Sequence, residues 1–118
     1  MLHLQILHML ALNIFMNLKI TKSDIKSGKQ HDPSNCAIAR SIKRSYAKKH
    51  KMNDIVDVNV FADNASLSVY EGKKIVTYSA KMNNKATQFV YNFDNNVRVK
   101  PLYLNIPFKQ TNCFKACV

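Results

Sequence analysis

The hydrophobic period of this chain changes sharply near its middle, and that change decides most of what it can fold into. Across residues 31–51, HDPSNCAIARSIKRSYAKKHK, the apolar positions Ile38, Ala39, Ile42 and Tyr46 recur at helical spacing. From Ile55 the period falls to two: Val56, Val58 and Val60 alternate with Asp57, Asn59 and Phe61, as in a half-buried strand. Alternation returns at Leu67 and Val69, and a β-rich run covers 74–79. Asp63-Asn64 and Glu71-Gly72 supply the turn residues between these runs. The middle of the chain therefore reads as a helix followed by a three-stranded antiparallel meander.

The flanks complete the pattern. Residues 17–21 alternate weakly and predict an edge strand, and Gly28 ends a short turn over 24–26. Asp32 is placed to cap the main helix, with Pro33 at its first position, where a missing N–H costs nothing. Ala86, Phe89, Val90 and Phe93 are spaced i, i+3, i+4, i+7 and form a second amphipathic helix, stopped by Asp94-Asn95-Asn96. Beyond Pro101, which argues for a bend or an edge position, Leu102, Leu104 and Ile106 form a last strand. The order is strand, helix, three strands, helix, strand. It predicts an α+β fold: a small antiparallel sheet of about four to five strands with two helices packed on one face.

A chain of 118 residues has room for one such domain. Its expected limits are 16–108, with 1–15 as an apolar extension and 109–118 as a tail without periodicity, loosely held. The extension, MLHLQILHMLALNIF, is broken by His3, Gln5, His8 and Asn13, which argues against a membrane span. It lacks the basic start and small-residue cleavage site of a secretory signal. The reading favoured here is that Met16 is the natural start and that the upstream residues are an over-extended frame; an amphipathic helix packed on the core or a partner is the other reading. With the sparse cysteines Cys36, Cys113 and Cys117, the chain is expected in a reducing cytoplasm, away from membranes.

Charge restricts the partners. Eighteen Lys and Arg against seven Asp and Glu give a net charge of +11, which draws the chain towards phosphate polymers or acidic proteins. Arg40, Lys43, Arg44, Lys48 and Lys51 lie three or four apart along the main helix, so they could track a DNA or RNA backbone. The exposed side of that helix carries no Asn or Gln, which argues against base readout in a groove. Tyr46, Tyr70, Tyr78, Tyr91 and Tyr103 could offer stacking surfaces to single strands, or sit at the core edge with wet hydroxyls. The alternative partner is an acidic protein met by the same basic face.

Little points to catalysis. His31, Cys36, Cys113 and Cys117 are candidate zinc ligands, but their spacing matches no strong zinc pattern, and no metal or other cofactor is expected. Cys36 near a helix N-terminus would have a lowered thiol pKa, with His31 as a conceivable base, although a small buried core residue is the more ordinary role. There is no Gly-rich phosphate loop, H-E-x-x-H helix or nucleophile elbow. The expectation is a non-catalytic binding protein with no catalytic residues.

Two stretches carry a resemblance. Ile20-Thr21-Lys22-Ser23-Asp24-Ile25-Lys26-Ser27-Gly28, followed by Asp32-Pro33-Ser34-Asn35-Cys36-Ala37-Ile38-Ala39, resembles a pattern in small uncharacterised proteins of tailed bacteriophages and related mobile elements. There a T-x-x-D-I-x-x-G opening precedes D-P-x-x-C-P-[IV]-A, a helix, a short sheet and a late F-[IV]-x-x-F-D with V-x-P. Phe89-Val90-Tyr91-Asn92-Phe93-Asp94 and Val99-Lys100-Pro101 match the late part, whereas Ala37 stands where the pattern usually has proline. The likeness covers about residues 16–108. It implies an accessory protein acting in the cytoplasm of a host cell and brings no assigned biochemistry; the expected roles, nucleic-acid binder or adaptor or inhibitor of a host factor, rest on the basic face.

Overall fold

The computed structural model describes residues 13–115. Strand β1 (Asn13–Ile20) leads into a short helix α1 (Lys22–Ser27) and the main helix α2 (Ala37–Ala47). A 3-10 turn at Met52–Asp54 precedes the meander β2 (Ile55–Val60), β3 (Asn64–Glu71) and β4 (Lys74–Lys81). Helix α3 (Asn84–Asp94) and the long strand β5 (Leu102–Lys115) follow. All strand pairs are antiparallel, in the order β1-β5-β4-β3-β2. The α+β architecture expected from the periodicity is the one observed, with α1 as a third helix.

Register explains why the core lies on one side. Met16 pairs with Ile106 and Leu18 with Leu104 across β1 and β5. Ala65, Leu67 and Val69 oppose Ala80, Tyr78 and Val76 across β3 and β4, and Val58 and Val60 join them from β2. Cross-strand partners point the same way, so these buried side chains make one continuous apolar face. Ile38, Ala39, Ile42 and Tyr46 of α2 and Ala86, Phe89, Val90 and Phe93 of α3 complete that core. The opposite face is open along β1 and β5, where Phe15, Asn17, Lys19, Tyr103, Asn105 and Lys109 are all exposed.

Local chemistry sets the helix starts. Thr21 Oγ1 accepts the Asp24 N–H at 3.1 Å while Asp24 Oδ2 accepts the Thr21 N–H at 2.9 Å, a reciprocal capping box that fixes α1. Gly28 closes it where a Cβ would meet the Asp24 carbonyl oxygen at 2.6 Å and the Ala37 nitrogen at 2.7 Å. The T-x-x-D-I-x-x-G run is thus a packing device: cap, half-buried Ile25, and a glycine that lets α1 approach the start of α2. At the β3–β4 hairpin, Gly72 has φ +63° at the first of two loop residues, where the favoured primed turn needs a positive angle.

Three expectations are corrected. Asp32 does not cap the main helix: its carboxylate accepts the N–H groups of Ser34 and Asn35 at 3.0 and 3.1 Å, closing a turn ahead of α2, and Cys36 takes the N-cap position. The edge strand begins at Asn13, four residues earlier than expected and within the segment set aside as an extension. The 109–118 tail is not loose as far as Lys115, because β5 runs straight through Pro107 and pairs with β1 on one side and β4 on the other. Phe108 explains this: it is wholly buried and continues the inward series of Leu104 and Ile106, which outweighs the N–H that Pro107 lacks. The final strand therefore lies inside the sheet, and its register shifts at Thr111 opposite Thr77 and Tyr78. The expectations for residues 1–12 and for Cys117 lie outside the described residues.

Candidate functional site

The five cations expected along α2 divide into two groups. Arg44, still partly exposed, grips the buried Asp24 with two nitrogens, Nη1 to Oδ1 and Nη2 to Oδ2, each at 2.6 Å. Its Nη2 also donates to the Lys19 carbonyl oxygen at 2.7 Å, tying the helix to β1. Arg40 lies with Nε 3.6 Å from the same carboxylate. Lys43 Nζ donates to the Ser34 carbonyl oxygen at 2.6 Å and holds the turn before the helix. Burial pushes the Asp24 carboxyl up, but the Arg44 hydrogen bonds, the Thr21 amide and the guanidinium charge outweigh it and hold its pKa below the ordinary value. The same hydrogen bonds raise the Arg44 pKa. Lys48 and Lys51 remain exposed, past the end of α2.

Cys36 is a core residue. Burial pushes its thiol pKa up, more than the amides at the start of α2 lower it, so the expected lowering does not occur. It lines an apolar cleft of about 390 Å³ with His31 and Asp94, whose carboxylate accepts the His31 N–H at 3.0 Å. Cys113 is exposed on β5. Among the described residues no three His, Cys, Asp or Glu side chains are grouped to hold a metal.

A stronger constellation sits at the corner where β1 leaves the sheet. A groove of about 690 Å³ runs between α1 and the segment that leads from α3 into β5. Lys22 and Lys26, one helical turn apart, line one wall; Arg98 and Lys100, in the segment ahead of β5, line the other. Ile25, Val99 and Pro101 form the rest, so among the described residues four cations face the space and no carboxylate does. The one acid of α1, Asp24, has no exposed surface and is already neutralised by Arg44. Lys19 lies next along β1, opposite Tyr103 in register, with its Nζ 5.9 Å from the centre of the Tyr103 ring.

These cations come from segments more than seventy residues apart, so spacing along one helix could not find them. A coarser signal exists: all seven acidic residues fall between Asp24 and Asp94, so the first and last parts of the chain carry none. Antiparallel pairing of β1 with β5 brings those two acid-free parts together. Of the five tyrosines, Tyr46 and Tyr78 are buried, whereas Tyr70, Tyr91 and Tyr103 are exposed. No helix among the described residues is long and apolar enough to cross a membrane. Comparison with protein-family models, curated proteins and solved structures gives no match.

Proposed function

We propose that this chain is a non-catalytic accessory protein that binds nucleic-acid phosphates, with Lys22, Lys26, Arg98 and Lys100 as the principal contacts. The observation that carries this reading is the groove itself: four cations converge with no acidic side chain among them. Of the cations expected along the main helix, Arg40 and Arg44 lie against Asp24 and Lys43 donates to the Ser34 carbonyl oxygen, so Lys48 and Lys51 are the more available outlying contacts. The bacteriophage or mobile-element setting and the cytoplasmic location belong to the same proposal and rest on the resemblance of the 20–39 stretch.

The test is fluorescence anisotropy with labelled DNA and RNA over a salt series. Four phosphate contacts predict that log affinity falls with log salt at a slope of about −3. Reversing Lys22, Lys26, Arg98 and Lys100 to Glu should remove most binding, and reversing Lys48 and Lys51 should remove less. Absence of binding at low salt, or equal effects of the two sets, defeats the proposal. Capture of an acidic protein from nuclease-treated lysate by the wild type, lost in the groove variant, would shift the reading to the protein-partner alternative.

A further inference from the structure

We infer that the nucleic acid bound here is single-stranded, and that it continues from the groove along the open face of β1 and β5, stacking bases on Tyr103 and Phe15. The inference rests on the phosphate-binding reading and specifies its substrate class. Tyr103 and Phe15 are 70% and 71% exposed, on the side of the sheet away from the core. Both rings keep most of their surface open to solvent, with the Lys19 Nζ 5.9 Å from the centre of Tyr103, and an aromatic face is what an unpaired base stacks on. A duplex hides its base faces within its own stack and would leave both rings unused.

Register gives the track a direction. Tyr103 opposes Lys19 beside the groove, and Phe15 opposes Pro107 four residues further along β1. At about 3.3 Å per strand residue the two rings are ~13 Å apart along the sheet. Between them the paired Asn17 and Asn105 face the same side and offer amide donors and acceptors. At the far end, Lys48, Lys49 and His50 border Phe15 and Asn17 around a shallow depression at the β1 edge. Cations thus stand at both ends of the track with rings and amides between. Neither strand contributes a carboxylate to repel a phosphate chain.

The experiment compares an unstructured labelled single strand, as DNA and as RNA, with the duplex made from it. Five proteins are used: wild type, Phe15→Ser with Tyr103→Ser, Tyr103→Ser alone, Tyr103→Phe, and the groove variant with Lys22, Lys26, Arg98 and Lys100 changed to Glu. The wild type should bind the single strand at least tenfold more tightly than the duplex. The Ser variant should lose about tenfold or more on the single strand and leave the duplex unchanged, since each base stack contributes on that scale. Tyr103→Phe, which keeps the ring, should restore affinity relative to Tyr103→Ser. Both rings are solvent-facing, so the variants should fold, and thermal melts matched to wild type are the control. Duplex binding as tight as single-strand binding, or wild-type single-strand affinity in the Ser variant, overturns the inference and leaves phosphate binding standing. No binding of any of these nucleic acids by the wild type overturns both.

Discussion

Removing the Arg44 side chain should reverse the response of the fold to acid. Asp24 has no exposed surface, and its counterion is a guanidinium that is itself 43% exposed. Truncation of one partner of a buried pair costs roughly 3–5 kcal/mol, because the remaining charge is left without compensation. Here the figure is reduced. Water can enter where Arg44 was half exposed, Arg40 lies 3.6 Å from the carboxylate, and the Thr21 N–H still donates to it. Arg44→Ala should therefore cost about 2–3 kcal/mol at neutral pH. In the wild type the Asp24 pKa lies below its ordinary value of 3.8. Its contribution is present above 3.8 and is lost as pH falls through the lower folded value. Without Arg44, burial dominates and raises the folded pKa above 3.8. The acid is then favoured in its neutral form, and stability is lost as pH rises through that raised value. The gap between variant and wild type should be widest near neutrality and should narrow in acid. Urea unfolding followed by circular dichroism across that range measures it. A penalty below about 1 kcal/mol, or one that does not change with pH, would refute the argument that Asp24 is a buried charge held ionised by Arg44.

Further tests address other parts of the fold. Gly28→Ala should destabilise by about 2 kcal/mol or more in urea unfolding, because the new Cβ meets backbone atoms of Asp24 and Ala37 that cannot swing away; a neutral result would mean that α1 and α2 move apart easily. In the native state Cys113 should react with a thiol reagent well before Cys36, whose thiol is buried and raised in pKa, as mapped by mass spectrometry after timed labelling. Rapid labelling of both would place Cys36 outside the core. On alkaline titration followed by ultraviolet absorbance, Tyr78 and Tyr46 should ionise late. Burial raises both phenols, and Tyr78 also donates to the Glu71 carboxylate at 3.1 Å. A phenol raised in the folded state stabilises it below the unfolded pKa near ~10 and ceases to do so as pH rises, so Tyr78→Phe should flatten the alkaline loss of stability.

The contrast between what the residues announced and what they concealed has a physical basis. The meander was legible because Val58, Val60, Leu67 and Val69 alternate within single strands and Gly72 marks the turn, all of it local information. The length of β5 was not, because Pro107 is a standard breaker signal. Pairing with Phe15 of β1, and Phe108 in the core beside it, carry the strand past it, and the ladder to β4 begins only at Lys109. Arg44 was visible as a helical cation but not as a structural one, since its partner Asp24 lies twenty residues upstream in another helix. The groove depended on β1 meeting β5, a pairing that no local period encodes.

That pairing bears on the order in which the molecule can assemble. As the chain emerges during synthesis, the meander can close on itself from near neighbours, while Met16, Leu18 and Ile20 have no strand to pair with until β5 appears more than eighty residues later. Among the described strands β5 is made last, and it is the seam that joins β1 to the rest. Its two longest-range ladders form together at the end, so a fragment ending before Leu102 should present β1 as an adhesive apolar ribbon. The binding corner is built by the same closure, so capture of a nucleic acid there would be confined to chains in which β5 has been made and paired.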